Sequence, residues 1–177
     1  MKNAFLALTL ALLSTAASAK VESIWMTHQS PDNSKIVISW ETTNPGDSVV
    51  EFGTSPQLGE TAMLEGSRTL HHVEIPIPHK DAVYHYRVKS GDQVSDIHTF
   101  KGYPSKLLRI AVVANIRADA KLNFDAIRKD DPHLLLSSGD TAMQYQFATQ
   151  ADKEATKSHS TAIDTQADLF RSTPFMV

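Results

Sequence analysis

The chain has 177 residues, 41% of them hydrophobic, and a formal net charge of -3. That apolar share suits a globular protein and excludes disorder, while the charge gives no electrostatic reason for a nucleic-acid or anionic-membrane partner. Cysteine is absent, which excludes disulfides and thiolate sites and leaves carboxylate, imidazole, amide or phenolate groups as metal ligands.

In chain order, the first element is a targeting segment. Met1 and Lys2 supply a short positive start, Ala4 to Leu13 an apolar run, and Ala17-Ser18-Ala19 the small residues where a signal peptidase cuts. Residues 1–19 therefore read as a secretory signal peptide cleaved after Ala19. The run is about ten residues, half of the ~20 that a membrane span needs. A secreted or periplasmic mature chain starting at Lys20 is expected, with no membrane span after cleavage.

Residues 20–103 show period-two alternation. Ile36, Ile38 and Trp40 alternate with Lys35, Val37 and Ser39; Val73, Ile75 and Ile77 with His72, Glu74 and Pro76; Tyr84, Tyr86 and Val88 with His85, Arg87 and Lys89. Each set puts one face of a strand in a core. Turn chemistry separates them at Pro31-Asp32-Asn33-Ser34, Asn44-Pro45-Gly46-Asp47, His79-Lys80-Asp81 and Ser90-Gly91-Asp92. The spacing predicts about seven strands, near 21–28, 35–42, 48–53, 61–65, 69–77, 82–89 and 94–101, in a two-sheet sandwich centred on Trp40.

Pro104-Ser105 marks a seam, and residues 106–177 read as a second, α/β unit. Leu107 to Asn115 is a continuous apolar run, the pattern of a parallel strand buried on both faces. Residues 119–130 predict a helix with Leu122, Ala126 and Ile127 on one stripe, ended by Asp131-Pro132. A second strand, His133 to Ser138, leads into Gly139-Asp140; residues 142–171 read as helical, and Thr173 to Val177 as a third strand.

Histidines are numerous but scattered. His71 and His72 are adjacent on one strand and point to opposite faces, so they form no common site. His79 falls in a turn, His85 and His98 on solvent faces, His133 at the far end of its strand and His159 on a polar helix. Ser137 and Ser138 lack the Gly-x-Ser-x-Gly elbow of a serine hydrolase.

The first region resembles the N-terminal, fibronectin type III-like domain of purple acid phosphatases. The resemblance is carried by Lys35-Ile36-Val37-Ile38-Ser39-Trp40, Val50-Glu51-Phe52-Gly53, His71-His72-Val73, Ala82 to Val88 and Ser95 to Phe100, in that order. The apolar strand ending in Gly139-Asp140 is similar to the second signature of the metallophosphoesterases. Together these imply a mainly β chain: a fibronectin III-like β-sandwich, then an incomplete α/β metallophosphoesterase unit.

The resemblance further implies a secreted acid phosphatase that hydrolyses phosphate esters at a dimetal centre of iron with zinc, manganese or a second iron. In the family, two ions about 4 Å apart clamp the phosphate and an attacking hydroxide. Asp140 falls at the bridging-ligand position; Asn115 stands where the family has an aspartate, and its neutral amide holds a dication less strongly. Met143 occupies the family's tyrosine position, and Tyr145 lies two residues too far along. The later Gly-Asn-His motif and His ligands have no counterpart, so a truncated chain, weak or inactive by itself, is expected. No catalytic residue is assigned. The alternatives are a non-catalytic secreted β-sandwich binding module and a gene fragment.

Overall fold

The computed structural model describes residues 20–31, 33–114, 124–138 and 166–176. The signal-peptide reading of residues 1–19 lies outside them.

Strands β1 (Val21–Thr27), β2 (Lys35–Gly53), β3 (Glu60–Pro76), β4 (Val83–Ser90), β5 (Gln93–Val94) and β6 (His98–Lys101) build the sandwich. The first half of β2 pairs with β1, through Trp25↔Ser39 and Met26↔Ile38. Its second half pairs with β4, through Val50↔Val88 and Phe52↔Tyr86. β3 follows β2 along both halves. One long ribbon thus passes from one sheet to the other, a known way of making a sandwich corner. Between the layers lies one core holding Ile24, Met26, Trp40, Val50, Tyr86 and Phe100, with the alternating positions of β2, β3 and β4 pointing in as expected.

The strand count differs from the sequence expectation. Segments 35–42 and 48–53 are one strand, as are 61–65 and 69–77, whereas 94–101 divides into β5 and β6. Asn44-Pro45-Gly46-Asp47 is not a reversal but a bulge: pairing passes from Glu41↔Leu70 directly to Gly46↔Arg68. Extra residues on one strand bend it without breaking it, and Pro45 can sit there because no ladder N–H is required. A Cβ at position 46 would lie 2.2 Å from Ser90 Oγ, so a side chain there would require that hydroxyl to turn away.

His71 fastens this bend. Its ring stacks on Trp40, with centroids 4.6 Å apart and planes 2° from parallel. Thr42 Oγ1 donates to the Asn44 carbonyl at 2.8 Å, so it accepts from His71 Nε2–H at 2.9 Å. Nδ1 then accepts from the Ser48 hydroxyl at 2.8 Å. The imidazole therefore ties residues on both sides of the bulge together, and burial lowers its pKa to about 4.

Beyond the sandwich, β7 (Ile110–Val113), α1 (Asp125–Asp130), β8 (Leu134–Ser137), α2 (Ala167–Ser172) and β9 (Phe175–Met176) form a small parallel α/β unit. The strand order is β9-β8-β7, with β9 also pairing with β1. α1 ends at Asp131, as the Asp-Pro pair predicted, and Asp131 itself takes a left-handed conformation with φ 51°. A second core gathers Trp25, Phe124, Leu135, Leu169, Phe170 and Phe175, with Ala111, Val113 and Ile127 packed against it. Within the predicted helical stripe, Ile127 faces this core; Ala126 is exposed and Leu122 lies outside the described residues.

Expected burial of the first parallel strand on both faces is not met. Ala111 and Val113 face the second core, but Ile110 and Val112 are 46% and 64% exposed. An apolar strand sequence favours burial; it cannot supply the layer that buries it.

Candidate functional site

β1 joins the two units because its side chains alternate. Ile24 and Met26 enter the sandwich core, while Trp25 points the other way into the second core. Thr27 pairs with Phe175 in parallel register, and His28 N–H donates to the Phe175 carbonyl at 3.1 Å. Tyr103 Oη is hydrogen-bonded to His28 Nδ1 at 2.9 Å, and burial pushes the phenol up to about 12, so it remains protonated. From the sandwich core, Tyr86 Oη donates to the Arg171 carbonyl at the end of α2 at 2.9 Å. His98 is half-buried against the Tyr86 ring rather than on a free solvent face, and its pKa is lowered by burial first and by Arg171 second.

On this frame the three parallel strands run side by side. Ala111 pairs with Leu135 and Val113 with Ser137; Leu136 pairs with Met176. Ser138 N–H donates to the Val113 carbonyl at 2.9 Å, so the ends of β7 and β8 are level. Carboxyl ends of parallel strands form the mouth where open α/β sheets bind ligands, because the connecting loops diverge there. The described residues at this mouth are Ala114, Ser137, Ser138 and Met176.

The opposite end is closed by contacts of its own. His133 Nδ1 accepts the Arg109 N–H at 3.1 Å, and Arg109 donates to the Asp130 carbonyl at 2.8 Å. Lys101 pairs with Asp131 at 2.5 Å, which holds that carboxyl below its ordinary range. Asp81 accepts the Ser105 N–H at 3.1 Å, fixing the connector between the units. His133 thus lies at the end remote from the mouth, as its place before β8 predicted.

Both ligand candidates from the sequence, Asn115 and Asp140, lie outside the described residues. The structure places the strands that lead to them and does not place their side chains. Among the described residues no group of three or more His, Asp or Glu side chains could hold a metal. Alanine, serine and methionine at the mouth offer no hard anionic ligand, so the described residues by themselves do not fit a dimetal centre.

The fold is similar to that of a purple acid phosphatase. That structure, from yellow lupin (Lupinus luteus) seeds, aligns with a TM-score of 0.62 at 13% identity, over 89% of this chain and 34% of that one. A structure of PhoD aligns with a TM-score of 0.55 at 12% identity, over 85% of this chain and 37% of that one. At such identities the likeness is one of fold, and this chain spans about a third of the length of each protein. No family model matches the chain, and no curated protein matches it.

Trp25 and Tyr86 link the parallel sheet to the sandwich; the sequence placed Tyr86 on the core face of its strand but not in this link, and did not single out Trp25. A signal was present for the first: a bulky apolar residue on the outward face of a strand whose inward face is already apolar.

Proposed function

We propose that these residues form the first part of a secreted, acid-phosphatase-like metallophosphoesterase that hydrolyses phosphate esters at the mouth of its parallel sheet. The carrying observation is the level ends of β7 and β8, joined by the Ser138–Val113 hydrogen bond, in a fold similar to a purple acid phosphatase. In the sequence, Asn115 follows Ala114 directly and Asp140 lies two residues after Ser138. Asp140 is the proposed principal metal ligand and Asn115 a weaker one, for iron with zinc, manganese or a second iron. Further ligands belong to polypeptide beyond these residues, which leaves the isolated chain weak or inactive.

Secretion is proposed on the charge, apolar run and small residues of the first 19 positions. Among the described residues no helix is long and apolar enough to cross a membrane. A free-standing binding module draws no support from β1, whose outward Trp25 is only 3% exposed because the second unit covers it.

The test is hydrolysis of p-nitrophenyl phosphate by the mature chain, with and without added Fe, Zn or Mn, beside metal uptake measured by calorimetry. Metal uptake that is lost in Asp140→Ala, with or without weak hydrolysis, is the expected result. The absence of both metal uptake and hydrolysis would remove the enzyme reading.

A further inference from the structure

A cavity of about 260 Å³ lies where the start of β1, residues 93–98 and the end of α2 meet. It is at the amino end of β1, and β1 runs parallel to β9, so the cavity is at the end of the sheet opposite to the mouth. Its volume falls below the ~300–1,000 Å³ of pockets for drug-sized ligands, which limits an occupant to a small molecule.

The walls carry the marks of a built site. Arg171 reaches the cavity from α2, and its carbonyl is held by the Tyr86 hydroxyl at 2.9 Å. Its Nε–H is buried without a hydrogen-bond partner, and no carboxylate pairs with the guanidinium among the described residues. Leaving a buried donor unmade is costly, most of all on a charged group, so such a group calls for a ligand or another explanation. On the β1 side, Ser23 has φ 48°, a left-handed conformation that strains a serine. Strand pairing slips beside it, between Glu22 and Trp25. Bulges and strained residues of this kind concentrate next to functional sites. The facing wall is fixed: Ser95 Oγ accepts the Val88 N–H at 3.0 Å and donates to the Asp96 carbonyl at 2.8 Å.

Charge narrows the ligand. The charged side chains lining the cavity are Lys20, Glu22, Asp96 and Arg171. Lys20 Nζ pairs with Glu22 at 3.3 Å, and the Lys20 backbone nitrogen donates to Thr43, which does not line the cavity. That leaves one group of each sign, Arg171 and Asp96. His98 stands with them, and burial first and Arg171 second lower its pKa, so its imidazole is neutral above pH ~7. A lone anion would be repelled by Asp96 and a lone cation by Arg171, whereas a ligand with one charge of each sign is attracted by both. A guanidinium fork takes a carboxylate through two parallel hydrogen bonds. Val94 in this cavity and Ile97 in the adjoining one are 48% and 44% exposed, and they offer contact to an apolar side chain.

We propose that this cavity binds a small zwitterion of the α-amino-acid class, with its carboxylate on Arg171 and its ammonium toward Asp96. The proposal is independent of the phosphatase reading, because none of these residues lies at the mouth.

The test is titration of L-leucine into the isotope-labelled mature chain, followed by NMR. The Arg171 Nε–H signal and the amides of Asp96 and His98 should shift, with a Kd of about 1 mM or below. Three probes should each bind at least about 10-fold more weakly: 4-methylpentanoate without the ammonium, 3-methylbutylamine without the carboxylate, and inorganic phosphate. Arg171→Gln should weaken leucine at least about 10-fold. Asp96→Asn should weaken leucine yet tighten 4-methylpentanoate, a gain that misfolding could not produce. No leucine binding at about 10 mM, equal binding of any of the three probes, or unchanged leucine affinity in either variant would each overturn the proposal. These readouts involve neither metal nor ester hydrolysis, so a failure here and a failure of the phosphatase reading are told apart.

Discussion

Lowering the pH should loosen the sandwich through His71. The imidazole is fully buried, stacked on Trp40 and hydrogen-bonded through both nitrogens. Burial is the main cause of its lowered pKa, about 4 against an ordinary 6.5, with Arg68 the next contributor. The folded state therefore takes up the proton later than the unfolded chain does. Stability is fully present above 6.5 and is lost as the pH falls from 6.5 toward 4. The whole shift corresponds to about 3 kcal/mol, of which about 2 kcal/mol is lost between pH ~7.5 and pH ~5. Urea unfolding followed by tryptophan emission, at both pH values, measures it. Titrating carboxylates add to the slope, including Glu51, whose pKa is held down by Arg87 first. The comparison is therefore with His71→Phe, which keeps the stack on Trp40 and removes the titration. At neutral pH this variant should lose about 2 kcal/mol, because the Ser48 and Thr42 hydroxyls each lose a partner. Its stability should then fall less between the two pH values, by about 2 kcal/mol. Equal slopes in the two proteins would refute the reasoning.

Other perturbations have definite outcomes. Trp25→Ala should cost about 3–5 kcal/mol from the second core, with hydrogen exchange at residues 110–113 and 134–137 speeding up while Trp40 and its neighbours stay protected. Gly53→Ala should destabilise by about 1–3 kcal/mol in urea, since a Cβ there would lie 1.9 Å from the Leu58 carbonyl oxygen, which is backbone and cannot move aside. Glu51→Gln should cost no more than about 1 kcal/mol, despite contacts of 2.5 Å to Arg87 and 3.1 Å to Lys89, because all three side chains are partly solvated.

The sandwich was legible because alternation is enforced by geometry: Ile36, Ile38 and Trp40 must share a face. The long β2–β3 ribbon was not, because Asn44-Pro45-Gly46-Asp47 has the chemistry of a turn and of a bulge alike, and only pairing across to Arg68 and Leu70 separates the two. His71 was seen to oppose His72. Its clasp on the bulge could not be seen, since Thr42 and Ser48 come close to it only after the ribbon bends. In the second unit the apolar runs gave strands at 110–113 and 134–137, with Asn115 and Asp140 just beyond them. The uncovered side of Val112 was hidden, because an apolar residue records the need for a neighbour and not its presence.

The proposed site for a divalent metal, and with it a phosphate ester, is the carboxyl ends of β7 and β8. Paramagnetic Mn(II), titrated into isotope-labelled mature chain, reports the location through line broadening. The amides of Ala114 and Ser138 should broaden first, ahead of Arg109 and His133 at the other end of the same strands, and Asp140→Ala should abolish the effect. Broadening centred on Arg109 and His133 or on the sandwich, or unchanged by that substitution, would contradict it.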